Sequence, residues 1–189
     1  MHKYSPEKIE RLLRPARVRE IKPLAVLKDA GLKKGDSCAD VGAGPGFFSV
    51  PASRIVGKDG IVYAIDTQKE MLEGLKKLSP PPNIIPVLSG ENSIPLDEST
   101  VDFALSAYVL HETDNKARFL KEIRRIMKPG ARLLVIDWKK KKEGHGPPCE
   151  ERLSIKTVEG LLRKAGFVSL KASPLNDSHY RVKGLKPSR

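Results

Sequence analysis

The sequence predicts an α/β fold: a mostly parallel sheet with helices on both faces and an antiparallel hairpin at its carboxyl end. Short apolar runs alternate with longer amphipathic runs, which are typical of strands and helices in turn. A glycine-rich turn joins the first apolar run to the first crossover helix. Near the end of the chain, the turn sequence 174–177 separates two strand-like runs and predicts the hairpin.

Composition sets broad bounds on what the chain does. The 189 residues are 39% hydrophobic and 31% charged, as expected for one globular domain. No apolar run reaches the roughly 18 residues of a membrane span, and no apolar signal region begins the sequence. Two distant cysteines, Cys38 and Cys149, indicate a reduced, cytoplasmic setting.

The formal charge of +12 is concentrated in residues 1–36 and 163–189. These basic terminal regions would bind nucleic acid, an acidic substrate or anionic lipid, or would form a solvated surface that aids solubility. No nucleic-acid motif accompanies the charge.

The stretch 38–48 organises the chain, because Gly42, Gly44 and Gly46 follow Asp40 at alternate positions. Glycine is needed where the backbone takes a positive φ or presses against a ligand. The third glycine comes one residue earlier than in the dinucleotide fingerprint G-x-G-x-x-G. A carboxylate two residues before the first glycine would repel a pyrophosphate but suits an ammonium group. We therefore expect Asp40 to bind an amine.

A second acid, Asp66, ends the next apolar run, 61–65. A carboxylate at this strand end, about twenty residues past the glycines, is placed to accept hydrogen bonds from ribose hydroxyls. An amine-binding acid and a ribose-binding acid together fit S-adenosylmethionine, which has an α-amino group and a ribose but no phosphate. Thr67 has the capping-box spacing with Glu70, so a helix is expected from Thr67 to about residue 78.

These motifs closely resemble the first two motifs of the class I, seven-stranded S-adenosylmethionine-dependent methyltransferases. The resemblance implies a doubly wound, Rossmann-like methyltransferase fold, with S-adenosylmethionine as cofactor and S-adenosylhomocysteine as product. It covers the whole chain, 1–189, as a single domain. Residues 1–30 would form an N-terminal lid and helix, 37–138 the cofactor-binding core, and 139–189 the acceptor-side loop, last helix and hairpin.

The first elements are expected as follows. Residues 1–17 predict a short amphipathic piece and then an extended one from Arg14. A helix over about 21–30 has Pro23 in its first turn, where proline is tolerated. The first crossover helix, about 47–55, contains Pro51, which should remove one backbone bond.

The later elements complete the alternation. Strands three and four are expected at 84–88 and 101–108. Asp114 is expected to cap the next helix, which ends at the Lys-Pro-Gly sequence 128–130. The fifth strand, 132–138, leads into a long polar loop. The last elements are a helix capped by Ser154 and two strands, at 167–172 and 178–184.

The resemblance also implies which residues bind the cofactor. The loop after the third strand would hold adenine, and the end of the fourth strand would pass beneath the methionine part. The implied cofactor-binding residues are Asp40, Gly42, Ala43, Gly44, Gly46, Asp66, Thr67, Gly90, Glu91, Asn92, Ser106 and Ala107.

A His-Glu pair after the fourth strand resembles the UbiE-like, methyltransferase type 11 group. His111 would then deprotonate the methyl acceptor, because its pKa lies near neutrality, or it would only shape the pocket. The candidates for the acceptor pocket are Tyr4, Tyr108, His111 and Trp138. No metal site is predicted, since His145 and Cys149 alone are too few ligands.

The expected function is methyl transfer to a small-molecule acceptor. The group includes quinone-precursor and arsenite methyltransferases, but two scattered cysteines do not supply a metalloid site. The sequence 106–109 lacks the Asp/Asn-Pro-Pro-Tyr/Phe motif of enzymes that methylate nucleic-acid amino groups.

Several alternatives stay open. One is an RNA or protein methyltransferase that uses the basic ends. Another is a nicotinamide-dependent reductase, although its Tyr-x-x-x-Lys pattern occurs only from Tyr4 to Lys8, before the first strand. A third is a non-catalytic S-adenosylmethionine-binding protein. The acceptor cannot be read from the motifs, and both a monomer and a homodimer are compatible with the sequence.

Overall fold

Seven strands form one sheet in the part of the chain that the computed structural model describes, residues 9–188. The strands are β1 Ser37–Val41, β2 Ile61–Asp66, β3 Ile84–Leu88, β4 Val101–Ala107, β5 Met127–Trp138, β6 Val168–Pro174 and β7 His179–Leu185. Their order is β3-β2-β1-β4-β5-β7-β6, with β7 antiparallel to both neighbours and the other pairs parallel. The predicted fold class is confirmed.

Helices separate most of the strands along the chain. They are α1 Ile9–Leu12, α2 Pro15–Ile21, α3 Pro23–Asp29, α4 Ser49–Val56, α5 Lys69–Lys77, α6 Lys116–Ile126 and α7 Ile155–Lys164. A 3-10 turn at Leu110–Glu112 follows β4. The strand order reverses between β1 and β4, and a crevice opens beyond the carboxyl ends of the strands at such a reversal.

Two apolar cores lie on opposite faces of the sheet, as β5 shows. Leu133 and Val135 belong to the core covered by α6 and α7, whereas Leu134 and Ile136 belong to the core beneath α3 and α4. All four side chains are buried. Successive strand residues point to opposite faces, so a strand covered on both sides is apolar throughout. This explains why the central strands appear as continuous apolar runs.

The N-terminal segment is more helical than expected. The extended piece predicted from Arg14 is wrong, because α2 begins at Pro15, and proline is favoured at the first position of a helix. Lys22 has a left-handed conformation, with φ of 52°, and separates α2 from α3, which begins at Pro23. The helix predicted over 21–30 corresponds to α3, the third of three short helices that precede β1 among the described residues.

The capping box predicted at Thr67 is also wrong. The N-cap of α5 is Gln68, in extended backbone, and the helix begins at Lys69. Asp66 Oδ1 accepts a hydrogen bond from the Gln68 amide at 2.9 Å. Asp66 thus satisfies the amide of the N-cap residue, whereas a capping box at Thr67 would have had its hydroxyl accept from the Glu70 amide.

Two further expectations about helix ends fail for local reasons. Asp114 is not the cap of α6, because Asn115 is its N-cap and accepts from the Arg118 amide at 3.0 Å. Pro51 does not remove a hydrogen bond from within α4, because the helix begins at Ser49, later than predicted. Pro51 therefore falls in the first turn, where amide groups have no partner within the helix.

The second half of the sheet follows the prediction apart from the start of β5. The Lys-Pro-Gly sequence 128–130 lies inside β5, which begins at Met127, and the register with β4 shifts between Val101 and Phe103. A bulge of this kind accommodates a proline within a strand. The Ser154 cap is confirmed, since its Oγ accepts from the Thr157 amide at 3.1 Å.

Candidate active site

A cleft of about 840 Å³ lies at the carboxyl ends of β1, β2, β4 and β5. The glycine turn after β1, side chains of α1 and α2, and the loop between β5 and α7 all contribute to it. The cleft brings together these sequence-predicted site residues: Gly42, Ala43, Gly44, Asp66, Thr67, Gly90, Glu91, Ala107, Tyr108, His111 and Trp138.

Other predicted site residues are not part of the described lining. Asp40 and Ser106 are buried behind it, and Asn92 is exposed at the surface. Gly46 packs against α5, where an added Cβ would lie 2.5 Å from Leu75 Cδ1. Tyr4 lies outside the described residues.

The glycine turn uses most of its own amides internally. The Gly42 and Ala43 amides both donate to the Ile65 carbonyl, at 2.8 and 2.9 Å. The Gly44 amide donates to Asp66 Oδ2 at 2.8 Å, and the Gly46 amide donates to the Ala43 carbonyl at 3.0 Å. A pyrophosphate site needs free amides that point at the ligand. The turn therefore suits a ligand without phosphate.

Asp40 is enclosed by protein atoms under this turn. It is 2% exposed, and its Oδ2 accepts from Ser49 Oγ at 2.6 Å. Burial raises the pKa of Asp40 to about 7, and the Asp66 charge adds to this while the Ser49 hydrogen bonds oppose it. A cation bound over the turn would favour ionised Asp40. The predicted contact between Asp40 and an ammonium group stays a prediction.

Asp66 lies at the cleft and is 8% exposed. Its two oxygens accept from backbone amides, Oδ2 from Gly44 and Oδ1 from Gln68. These bonds fix the carboxylate at the end of β2 between the glycine turn and α5. An ionised carboxylate has about four lone-pair sites, so it can accept ribose hydroxyls in addition.

Glu91 also lines the cleft, but its carboxylate has a structural partner. Glu91 Oε1 accepts from the Asp114 amide at 2.9 Å, just before α6. Gly90 forms an isolated bridge with Ser93, which closes the loop after β3. The assignment of this loop to adenine stays a prediction.

His111 lies in the 3-10 turn after β4 and is held by a buried acid. Its Nδ1 is 2.7 Å from Asp137 Oδ1, and Asp137 is fully buried at the end of β5. Its Nε2 is 3.7 Å from Glu112 Oε1. Burial lowers the pKa of His111, but the Asp137 hydrogen bond and the charges of Asp137, Glu112 and Glu151 outweigh it and raise the pKa above 6.5.

An aromatic wall, formed by Tyr108, Trp138 and His179, lines the cleft beside His111. The Trp138 ring centroid lies 4.3 Å from that of His179 and 6.0 Å from that of Tyr108. Tyr108 has a positive φ of 63°, which is strained for a bulky residue. Burial lowers the pKa of His179 to about 4, helped by the Arg17 charge. The wall is therefore uncharged at neutral pH.

Helix α2 brings Arg17 over the same region. Its guanidinium carbon lies 4.1 Å from the Phe47 ring centroid and 5.1 Å from that of Tyr108. Such cation–π contacts favour a fixed position for the side chain. Arg17 thus connects the N-terminal helices to the glycine turn and the aromatic wall.

The loop between β5 and α7 is organised by one guanidinium, that of Arg152, which is 1% exposed. It donates, at 2.5 to 3.3 Å, to the carbonyl oxygens of Lys139, Lys141, His145 and Pro147 and to the carboxylate of Glu143. Its Cζ also lies 5.0 Å from the Trp138 ring centroid. The long loop is therefore an ordered wall of the cleft.

Sequence reasoning missed several residues of the site. Asp137 had one usable signal, an acid at the end of a buried apolar strand. Arg17, Glu151 and His179 had none, because they come from a basic helix, a polar loop and a hairpin that only the tertiary fold brings together. Among the described residues, no group of three or more His, Cys, Asp or Glu side chains could hold a metal ion. In the same part of the chain, no helix is long and apolar enough to cross a membrane.

Comparison with known proteins identifies the family. Residues 39–135, about half of the chain, match the family described as "Methyltransferase domain". The chain is also similar to a crystal structure of an S-adenosylmethionine-dependent methyltransferase from Aquifex aeolicus. The two share 39% identity with a TM-score of 0.91, over 97% of this chain and 100% of the other.

Curated relatives match over a shorter span. The chain is 35% identical over 115 residues to the ubiquinone/menaquinone biosynthesis C-methyltransferase UbiE of Haemophilus ducreyi, covering 59% of this chain and 44% of that protein. It is 32% identical over 116 residues to a 2-phytyl-1,4-naphtoquinone methyltransferase of Trichormus variabilis, covering 59% of this chain and 51% of that protein. The matches thus span about half the length of these relatives. The chain belongs to the methyltransferase domain family, within the class I S-adenosylmethionine-dependent methyltransferases of the UbiE-like, type 11 group.

Proposed function

We propose that this protein transfers the methyl group of S-adenosylmethionine to a small, planar acceptor with an ionisable hydroxyl, of the quinol type. The observation that carries the proposal is the cleft itself. A glycine turn with internally satisfied amides and a strand-end carboxylate lie on one side of it, and an aromatic wall beside a histidine lies on the other.

The residues on the glycine side fit a nucleoside without phosphate. Asp66 would accept the ribose hydroxyls, and the Asp40 charge beneath the turn would favour the α-amino group. Gly90 and Glu91 would face adenine, and Ala107 the methionine part. When bound, S-adenosylmethionine supplies a methyl group that the sulfonium charge has activated. The amides' use within the turn and the two carboxylates disfavour the alternative of a nicotinamide dinucleotide.

The acceptor side supports a planar aromatic substrate. Tyr108, Trp138 and His179 provide ring faces and edges against which a flat ring packs. The names of the two curated relatives refer to quinones, which agrees with this choice. His111 would accept the hydroxyl proton through Nε2, since Nδ1 is bound to Asp137.

Positioning would supply most of the acceleration. Holding two reactants in line within a water-poor cleft provides about 7–11 kcal/mol in well-oriented systems. The Arg152-held loop and Arg17 on α2 would fix the walls between which the acceptor lies.

Two measurements test the proposal. Calorimetric titration with S-adenosylmethionine, S-adenosylhomocysteine and NADH should give binding of the first two and none of the third. Incubation with methyl-labelled donor and 1,4-naphthohydroquinone should then give a product with the label on a ring carbon. An RNA transcript and a protein mixture serve as competing acceptors. Label that enters RNA or protein instead, or cofactor binding without transfer to any acceptor, would contradict the quinol assignment.

A further inference from the structure

Acidic groups from three parts of the chain gather around His111. Asp137 comes from the end of β5, Glu112 from the same 3-10 turn, and Glu151 from the Arg152-held loop. The charge of Asp66, on β2, also acts on Glu112, together with the charges of Asp137 and Glu151. His111, Glu112 and Glu151 line the cleft, whereas Asp137 lies behind them.

Asp137 fixes which nitrogen of His111 is available. Its Oδ1 accepts from the Trp138 amide at 2.8 Å and lies 2.7 Å from His111 Nδ1. A carboxylate can only accept, so Nδ1 carries a proton and donates it. Nε2 then faces the cleft and the Glu112 carboxylate, 3.7 Å away. The His111 side chain is 3% exposed, but that of Glu112 is 26% exposed and can exchange protons with water.

We propose that His111 and Glu112 are two adjacent proton acceptors that serve methylation at carbon, and that Asp137 is the positioning residue for His111. The proposal rests on the proposed function. Methylation of a hydroxyl or an amine releases one proton from the attacking atom. Methylation of a phenolic ring at carbon requires two proton removals, first from the hydroxyl and then from the carbon that has been attacked.

The geometry allows both removals on one side of the substrate. His111 Nε2 accepts the hydroxyl proton, and the oxygen electron pair moves into the ring. The electron pair of the adjacent ring carbon forms the bond to the methyl carbon as the sulfur–carbon bond breaks and leaves its pair on sulfur. Glu112 then accepts the hydrogen of the attacked carbon as a proton, the ring regains its aromatic electrons, and the oxygen recovers its proton from Nε2. One proton remains on Glu112 and passes to water.

The protonation behaviour of both groups agrees with this assignment. Burial raises the pKa of Glu112 to about 7, with Asp137, Asp66 and Glu151 adding to it and His111 opposing it. The pKa of His111 is raised by the groups named above, against the effect of burial. A base works best when its pKa lies near the working pH.

A titration without acceptor tests the coupling. The His111 ring nitrogens of ¹⁵N-labelled protein are followed by NMR against pH, with the signals assigned by comparison with His111→Gln. Glu112→Gln should lower the titration midpoint by about one pH unit, because it removes a nearby charge. Glu150→Gln, an exposed residue outside the described lining, should leave it unchanged. Asp137→Asn should lower the midpoint and change which nitrogen is protonated. If Glu112→Gln leaves the His111 midpoint unchanged, the proposed pairing of His111 with Glu112 is wrong.

An isotope experiment tests the second proton removal. Turnover is compared for 1,4-naphthohydroquinone with hydrogen or deuterium at ring carbons 2 and 3. Glu112→Gln should reduce turnover about 100-fold and increase the deuterium isotope effect, because carbon deprotonation becomes limiting. His111→Gln should reduce turnover without that increase.

The possible failures are distinguishable. If wild-type protein binds the cofactor but does not methylate the hydroquinone, the proposed acceptor is wrong, and the NMR titration still decides on the pair. If Glu112→Gln matches wild type in rate and isotope effect, the role of Glu112 is wrong although the function stands.

Discussion

Asp40 and Asp66 lie on two sides of one glycine turn, yet their surroundings differ. Asp66 lies at the cleft and accepts from two backbone amides, whereas Asp40 is enclosed and accepts from one hydroxyl. Asp66 is therefore positioned for contact with a ligand, whereas Asp40 lies beneath the turn, where only its charge could act on one.

The first prediction concerns the ribose contact. Asp66→Asn should weaken S-adenosylmethionine binding by roughly 10- to 100-fold, because charge-assisted hydrogen bonds contribute about 1.5–3 kcal/mol. Calorimetric titration measures this change. Asp59→Asn is the matched control, since Asp59 is exposed, pairs only loosely with Lys34 at 3.9 Å and lies outside the described lining. Equal affinity in the Asp66 and Asp59 variants would contradict the assignment.

The second prediction concerns Asp40 and pH. In the folded protein Asp40 keeps its proton up to about pH 7, whereas in the unfolded chain it loses the proton near its ordinary pKa of 3.8. Between these values the folded state binds more protons, so the free energy of unfolding falls as pH rises, by about 4 kcal/mol in total. Asp40→Asn keeps an acceptor for Ser49 and removes the titration.

Urea unfolding of both proteins between pH 4 and pH 8 measures this effect. The stability of Asp40→Asn relative to wild type should increase with pH across the interval. A difference that stays constant with pH would show that Asp40 is ionised in the folded protein throughout.

At the scale of elements, the glycine turn depends on close packing as well as on backbone angle. Gly42 has φ of +82°, and an added Cβ would lie 2.1 Å from Val109 Cγ2, in the segment after β4. Gly35 has nearly the same φ, +81°, with nothing within 4 Å of an added Cβ. Comparing alanine substitutions at the two positions therefore separates the cost of a left-handed backbone, which both share, from the cost of a steric clash, which only Gly42 has.

The third prediction uses this pair. Gly35→Ala should reduce the free energy of unfolding by about 1–2 kcal/mol, the cost of a left-handed alanine. Gly42→Ala should reduce it further, by about 1–3 kcal/mol more, because overpacking displaces Val109. It should also weaken cofactor binding, which Gly35→Ala should leave unchanged. Denaturant unfolding and calorimetry measure both quantities, and equal effects of the two substitutions would refute the packing argument.

Element identity could be predicted from sequence more fully than element ends. The buried strands were recognisable because both of their faces are covered. The ends depend on contacts of neighbouring residues. Asp66 accepts from the amide of Gln68, which caps α5 in place of Thr67, and Asn115 replaces Asp114 as the cap of α6. Likewise, Pro15 begins helix α2, although the neighbouring sequence predicted an extended segment. These outcomes depend on tertiary positions that local patterns do not contain.

Only part of the candidate site could be predicted from sequence. The glycine turn and Asp66 were predictable because a motif needs them at fixed spacing along the chain. The contacts between His111, Asp137 and Glu151 were not, because they join a turn, a strand end and a loop across the sheet. The acceptor side of the site is therefore a property of the folded molecule.

At the scale of the whole molecule, net charge is a poor guide to the site. The chain carries a formal charge of +12, yet several carboxylates surround His111 within the cleft. A cationic cofactor bound in this cleft, as proposed, would therefore meet acidic groups although the protein as a whole is basic. Salt should weaken this attraction less than it would at an exposed surface, since buried charges are screened less.

The fourth prediction follows from the proposed binding of the cofactor in the cleft, whose lining includes residues of α1 and α2 as well as strand ends. S-adenosylmethionine at 100 times its dissociation constant should stabilise the folded protein by about 2.7 kcal/mol. For a chain of this length, the thermal midpoint should rise by about 5–10 °C. Scanning calorimetry measures the shift. Asp66→Asn at the same cofactor concentration should show a smaller shift, and an identical shift would mean that stabilisation arises elsewhere.

The Arg152 guanidinium determines how the loop between β5 and α7 responds to substitution. Because carbonyl groups spread along the loop depend on this single cation, they cannot be released one at a time. The loop is therefore expected to become ordered or disordered cooperatively, because its carbonyl groups share one donor. Substitutions at the exposed loop tips would leave these contacts in place, whereas loss of Arg152 would leave four carbonyl groups of the loop without their shared donor.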